Sequence, residues 1–398
     1  MTELPNTADT RNPLEGIRVV DFSIMMAGPY CSRYLADLGA DVIKIESADG
    51  DYIRTREPVR EGHSAYFGHL NCGKRSVVLD LKSAAGVEAA RRLAQQSDVL
   101  VENFRPGVMR RLGLDYETLR ALNPRLVYCS ISGFGQTGPS ASRPAYAQIV
   151  QAASGYDAAF AGYQDPLGRS DGMPRPPNNA IFLADVLGGT FAFSGVLAAL
   201  NHRHVTGRGQ QVDTTLIESM LNLMPYEVQE AQFPMPRRPV YPPLRTKDGY
   251  LMISAVSPKN FEVLFEAIGF AGWRDDPILA TNAARQAHWY EVMARVEQWT
   301  ALRDTAECER LFAEVGFPAT GYRTVAEALA DPQLAHRGSL ATVRFGEREQ
   351  RVPNLPFRMS EARVEARPRT PELGEHTEAV LRDLLGMDEA AIRAARGA

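Results

Sequence analysis

Asp185 is the residue whose setting points to chemistry. It lies in FLADVLGG (182–189), at the start of a predominantly apolar run from Ile181 to Leu200. An ionised carboxylate among oily neighbours is costly unless it is hydrogen-bonded or placed for a reaction. Partly stripped of water, such a group can attack an activated acyl carbon. Gly188 and Gly189 follow it closely and let backbone amides approach a ligand. With Gly135 they are candidate oxyanion donors. A helix-start acid satisfied by nearby amides is the competing structural reading, and from Asp185 alone it is the favoured one.

GFGQTG (133–138) is a literal G-x-G-x-x-G directly after a predicted strand. A dinucleotide site needs that loop to open a helix, so that a pyrophosphate meets the helix N-terminus. PSASRP follows instead, which is a poor helix, and the motif comes late in the strand order. A tight turn with close backbone approach fits better, with a nicotinamide-dependent dehydrogenase as a rival from another class. Lys44, Lys74, Arg75, Arg105, Arg110, Arg111 and Arg143 fall at predicted strand ends or in the loops after them. Singly each reads as a solvated surface charge; together, at one edge of a sheet, they fit a phosphate-bearing ligand. The seven histidines form no ligand cluster, so no metal is expected. No G-x-S-x-G elbow is present, and a serine hydrolase has no support.

The elements that must position these groups alternate regularly. IRVVDFS, DVIKIES, RSVVLDL, DVLVENF and RLVYCSIS read as strands. GPYCSRYLADLG, AAGVEAARRLAQQS and DYETLRALN, set between them, read as helices. Near-continuous apolar strands separated by helices predict an α/β fold, a parallel sheet covered on both faces. Ligands of such sheets bind beyond the carboxyl ends of the strands. Residues 138–179, rich in Gly, Pro, Ser and Asn, show no clear periodicity, and their tail SDGMPRPPNNA reads as loop. QQVDTTL and IESMLNLM then read as a strand and a helix. A proline-rich crossing, FPMPRRPVYPPLR (233–245), separates a smaller α+β region. The predicted organisation is a large domain over 1–232, a linker over 233–247 and a small domain over 248–331. The remainder, 332–398, returns to the large domain through TEAVLRDLLG.

Composition excludes several classes. With Lys plus Arg at 44 against Asp plus Glu at 48, the formal charge of -4 gives no basic footprint for nucleic acid or membrane surfaces. Cys31, Cys72, Cys129 and Cys308 are scattered without metal or redox spacing and read as reduced thiols of a cytoplasmic protein. The polar N-terminus lacks a signal-peptide core. Ile181–Leu200 is about long enough to span a bilayer, but the carboxylate in it costs roughly 2.5–3.5 kcal/mol on insertion scales, and no second span accompanies it. It reads as a buried helix of a soluble protein.

Taken in order, the blocks DFSIMMAGPYCSRYLADLGADVIKIE (21–46), NCGKRSVVLDLK (71–82), DVLVENFRPGVMRRLGL (98–114), NPRLVYCSISGFGQTGP (123–139), AYAQIVQAASG (145–155), FLADVLGG (182–189) and GRGQQVDTTLIES (207–219) resemble the class III CoA-transferases. That family also contains formyl-CoA transferases and α-methylacyl-CoA racemases. The resemblance implies a Rossmann-like large domain, a small domain and a homodimer of interlocked rings. It places the nucleophile on Asp185 and CoA contacts on Lys74, Arg75, Asn103, Phe104 and Arg111. Coenzyme A enters as substrate rather than as a resident cofactor, and the partners are an acyl-CoA and a carboxylic acid. Racemases carry a His-Asp pair where this chain has Tyr146 and Ala147, and a phenol titrating near ~10 is a poor base for that exchange. Formyl-CoA transferases carry Gln where Met26 stands, a carboxylate at Ala147, and a glycine-rich loop that 230–248 lacks. Met25 and Met26 suggest an acyl group with apolar surface. Intramolecular transfer between two carboxylates of one dicarboxylic acid is an open alternative, and racemisation a disfavoured one.

Overall fold

The computed structural model describes residues 12–164, 176, 179–233 and 239–397. The tail of the Gly/Pro-rich stretch before Asn179 and the middle of the proline-rich crossing lie largely outside them. The chain divides into two compact units. One runs to Phe160, resumes through Gln232 and returns from Gln333 to the C-terminus, and the other is centred on Phe233–Pro332.

The first unit is built on six strands, β1 (Arg18–Asp21), β2 (Asp41–Glu46), β3 (Lys74–Val78), β4 (Val99–Glu102), β5 (Val127–Ser132) and β6 (Gln211–Thr215). Every neighbouring pair is parallel, and the order across the sheet is β3-β2-β1-β4-β5-β6. The direction of winding reverses between β1 and β4. In sheets of this kind the crevice beyond the carboxyl ends at that point is the ligand site.

Side chains alternate strictly between two cores. Val19, Val99, Val101, Val127, Cys129 and Ile131 enter one, and Val20, Ile43, Leu100, Tyr128 and Val77 the other. Each such fully buried aliphatic or aromatic side chain contributes about 1.5–3 kcal/mol. Burial on both faces explains the unbroken apolar stretches Val19–Val20 of β1 and Val99–Val101 of β4.

The helices of this unit include α1 (Ala27–Asp37), α2 (Ala65–Asn71), α3 (Ala84–Gln95), α4 (Val108–Arg111), α5 (Tyr116–Leu122), α6 (Ala147–Ala153), the start of α7 (Tyr156–Gln164), α8 (Leu183–Thr206), α9 (Leu216–Leu223) and α10 (Pro225–Glu230). Sequence sets several starts. Ser83, Asp115 and Thr215 each accept an amide from the first turn of α3, α5 and α9. Gly207 closes α8 in the left-handed conformation with φ 72. The helix Thr377–Leu385 lies against α3 and β3.

Two expectations change. Residues 138–179, which show no clear periodicity in the sequence, hold two helices, α6 and α7, and α6 buries Ala147, Val150 and Gln151 against α8 and α9. Their apolar spacing is short and flanked by turn residues, which masks the helical period. The apolar run that reads as a buried helix is buried along one face only. In α8, Gly188, Gly189, Ala192, Val196 and Ala199 are covered, whereas Phe191 is 43% exposed. By length and composition α8 is apolar enough to cross a membrane, with 39% of its most hydrophobic window buried.

The second unit holds an antiparallel sheet in the order Ala319–Gly321, Tyr250–Ile253, Leu244–Arg245. Helices Pro258–Ala267, Trp289–Thr300 and Thr305–Glu314 belong to the same unit. Its own core contains Leu251, Ile253, Phe265, Trp273, Trp289 and Phe312.

Candidate active site

A cavity of about 290 Å³ opens where the sheet reverses its winding. Its walls are the loop after β1 (Ile24, Met25, Met26), the loop after β4 (Asn103, Phe104, Arg105), the end of β5 (Ser132, Gly133) and the first turn of α8. Asp185 stands on that first turn. Among the described residues no hydrogen-bond donor or cation partners its carboxylate, so the reading of a satisfied helix-start acid does not hold. Burial pushes its pKa up to about 6. Near neutral pH the group is mostly ionised yet poorly hydrated, which is what a carboxylate nucleophile needs. The positive end of the helix dipole favours that anion.

The loop after β1 is held by buried charge. Asp21, the last residue of β1, accepts from the Ser23 amide at 2.9 Å and from the Ser23 hydroxyl. Lys44 donates to the Ser23 carbonyl at 2.7 Å and to Asp51 at 3.1 Å. Asp51 in turn accepts from the Met25 amide at 3.3 Å. Asn103 bonds both backbone groups of Ile24. These contacts keep Met25 at φ 64, a left-handed conformation that a non-glycine residue adopts only when its surroundings impose it.

Beyond Met25 the chain enters α1, whose N-cap Met26 carries no side-chain cap. The leading amides of a helix have no partner within it. Those of Met26 and Ala27 belong to residues that line the cavity with Asp185. They are oxyanion donors of the right kind.

That arrangement corrects the glycine expectations. Gly188 and Gly189 lie inside α8 and do not line the cavity; they permit close packing instead. A Cβ on Gly188 would meet Leu216 at 2.3 Å, and one on Gly189 would meet the Ala27 carbonyl oxygen at 2.5 Å. Gly135, at φ +98, spends its amide on the Ser132 hydroxyl at 3.0 Å. Its motif makes a turn, with the Gln136 amide on Asp213, and no helix follows directly.

Asn103, Phe104, Met25, Met26 and Tyr146 all reach the cavity wall. Lys74, Arg75 and Arg111 do not. Lys74 and Arg75 open β3, whereas ligands gather at the closing ends of the strands. The Lys74 ammonium is buried among Asp21, Ser32 and Asn71 at 2.8–3.0 Å, and burial lowers its pKa to about 8 despite Asp21. Arg75 pairs with Asp41. Arg111 is exposed on α4.

Applying the same rule to β3 points past Val78. A second cavity of about 450 Å³ includes Ser47, Leu81, Lys82 and Arg396, and it shares Ile24 and Phe104 with the first. Lys82 is thus a cation that the strand-end rule could have found, whereas Arg396, at the end of the helix Glu389–Arg396, carries no such signal.

Tyr66 has no sequence signal. It packs on the same small core of Met26, Ile53, Phe67, Leu70 and Phe345 as Met25, Phe182 and Val186, and burial pushes its phenol up to about 12, with the Asp185 charge adding to the rise and Arg56 opposing it.

A Rossmann-type sheet whose switch-point cavity is built around one unpaired carboxylate defines an α/β enzyme of acyl-group chemistry. The chain belongs to CoA-transferase family III, whose model matches residues 14–377. It is 34% identical to the succinate–glutarate CoA-transferase of Agrobacterium fabrum, over 96% of this chain and 98% of that one. It is 32% identical to the formyl-CoA:oxalate CoA-transferase of Escherichia coli, over 94% and 95% of the two chains. Among solved structures, a CAIB/BAIF family protein from Brucella suis superposes with a TM-score of 0.80 at 34% identity, covering 94% of this chain and 99% of that one. Rv3272 from Mycobacterium tuberculosis gives 0.83 at 30% identity, covering 93% and 99%.

Proposed function

We propose that this CoA-transferase moves coenzyme A from an acyl-CoA thioester to a free carboxylic acid through covalent intermediates on Asp185. The observation that carries the reading is the unpaired, half-buried Asp185 carboxylate facing a cavity with free backbone amides. One Asp185 oxygen attacks the donor carbonyl carbon, the C–S bond breaks, and a mixed anhydride forms as CoA thiolate leaves. The thiolate attacks the Asp185 carbonyl, releasing the first acid and leaving an aspartyl-CoA thioester. The acceptor carboxylate attacks that thioester, and the thiolate finally takes the new acyl group, restoring Asp185.

Every tetrahedral stage places negative charge on an oxygen, which the Met26 and Ala27 amides are placed to receive. The thiol end of CoA enters past Ile24 and Phe104, with its phosphates toward Lys82 and Arg396 in the second cavity. Holding CoA by that distant end makes each return attack effectively intramolecular. Succinate, glutarate and oxalate in the relatives' names support carboxylic acids as both partners.

The interlocked homodimer belongs to the same proposal. Phe191, Leu221 and Leu223 leave apolar surface on α8 and α9 for a second copy to cover, and sedimentation would detect it. Four buried free thiols fit a reducing, cytoplasmic setting.

The decisive experiment treats enzyme and acyl-CoA with hydroxylamine and maps the modified residue by mass spectrometry. Modification at Asp185 in wild type is the expected result. In Asp185→Ala it should vanish, with transfer reduced by about 10⁴-fold or more. A fully active alanine variant would refute the mechanism.

A further inference from the structure

Asp185 has two sides. On one, Ile24 and Phe104 lead from its cavity into the second cavity, where the thiol and nucleotide of CoA lie in the reading above. On the other, Phe182 caps the same helix and, like Tyr66, Met25 and Val186, packs on a small core of Met26, Ile53, Phe67, Leu70 and Phe345. The guanidinium carbon of Arg56 lies 6.0 Å from the centre of the Phe182 ring.

The backbone of Arg56 is fixed. Its amide donates to the Ile53 carbonyl at 3.2 Å, and its carbonyl accepts the Ser64 hydroxyl at 2.6 Å. Its side chain is exposed, and among the described residues no carboxylate pairs with it. Arg56 also stands near enough to act on the Tyr66 hydroxyl, which feels Asp185 as well.

With its thioester carbon at Asp185 and its sulfur toward Ile24 and Phe104, an acyl chain directed away from the sulfur along Phe182 is aimed at Arg56. A carboxylate at the end of that chain is repelled by Asp185 unless a cation stands beyond it. Arg56 occupies that position, with a planar donor pair matched to a carboxylate.

We infer that Arg56 is a specificity-determining residue, receiving the distal carboxylate of a dicarboxylic acyl group while Asp185 attacks the thioester at the other end. The inference rests on the CoA-transfer reading and narrows its substrate class to dicarboxylic acids. A monocarboxylic acyl group of equal length keeps the contacts with Phe182 and Tyr66 but leaves the guanidinium unused. Discrimination through a group built to be hydrogen-bonded is far stronger than discrimination by one methylene.

The test compares succinyl-CoA with butyryl-CoA, which differ mainly in the terminal carboxylate. In wild type kcat/KM should favour succinyl-CoA. In Arg56→Gln that preference should fall about tenfold. Arg56→Lys should retain part of it, and the surface control Arg60→Gln all of it. Equal use of both donors by wild type, or an unchanged preference in Arg56→Gln, would overturn the inference while leaving CoA transfer intact. Binding of the two thioesters to Asp185→Ala, measured by calorimetry, separates the claims. Tighter succinyl-CoA binding that depends on Arg56, together with a wild-type enzyme inactive on every donor, would support the pocket and sink the transfer reading. Loss of both would sink both.

Discussion

Asn103 grips Ile24 by both ends of its amide: Oδ1 accepts the Ile24 N–H at 2.9 Å, and Nδ2 donates to the Ile24 carbonyl at 2.8 Å. The two loops that flank the reversal of the sheet therefore behave as one piece, and the amides at the head of α1 inherit their position from it. Asn103→Ala leaves both Ile24 groups unpartnered and releases Met25 from its left-handed conformation. Misplacement of about 1 Å at a reacting centre costs on the order of 100-fold in rate. We expect kcat/KM to drop by about that factor in stopped assays of CoA transfer. Asn103→Asp, which keeps the acceptor and loses the donor, should fall between alanine and wild type.

The pH profile follows from Asp185. Its pKa is raised to about 6 by burial, and only the ionised form attacks. For the free enzyme, kcat/KM should rise with pH to a plateau, with an apparent pKa near 6. A profile flat down to pH ~4.5 would contradict the assignment.

The same shift has a cost in stability. A carboxyl whose folded pKa lies above its unfolded value favours the fold fully only below the unfolded pKa, and loses that contribution as pH rises through about 6. Asp185→Asn should therefore stabilise the protein by about 1–3 kcal/mol at pH ~7.5 while abolishing activity. The gain should disappear toward pH ~4, which denaturant titrations at the two pH values would show.

The paired glycines of α8 separate by what they touch. A methyl on Gly189 runs into the Ala27 carbonyl oxygen at 2.5 Å and Tyr30 Cβ at 2.7 Å, neither of which yields without moving α1. A methyl on Gly188 meets the tip of Leu216, a side chain that can turn. Gly189→Ala should destabilise by about 2–3 kcal/mol and Gly188→Ala by less, read from thermal melts. Because α1 carries the Met26 and Ala27 amides, Gly189→Ala should also lower kcat.

Much of this was legible in the chain. The alternation of apolar strands with helices carries the parallel sheet, because a strand covered on both faces tends toward an apolar run that alternation with solvent does not interrupt. Asp185 is visible because a carboxylate in an apolar run is unusual wherever it occurs. The failures share a cause. Lys74 and Arg75 adjoin the correct strand but at its opening end, and the sequence does not say whether an ammonium turns inward to Asp21. Gly188 and Gly189 suggest ligand approach, yet the close neighbours are α1 and Leu216. Helix α6 hides among turn residues because seven residues give too few periods to register.

Composition and periodicity by themselves thus established an α/β sheet with an acid set in an apolar run beside it, since local patterning is what burial on two faces and the expense of a lone charge write into a chain. Folding alone decided the company that acid keeps: Met26 and Ala27 on one wall, Asn103 clamped to Ile24, Tyr66 and Arg56 on the far side. Those residues lie tens of positions apart and meet only because parallel strands bring their closing ends to one edge. Their mutual distances depend on sheet order, which no local pattern encodes.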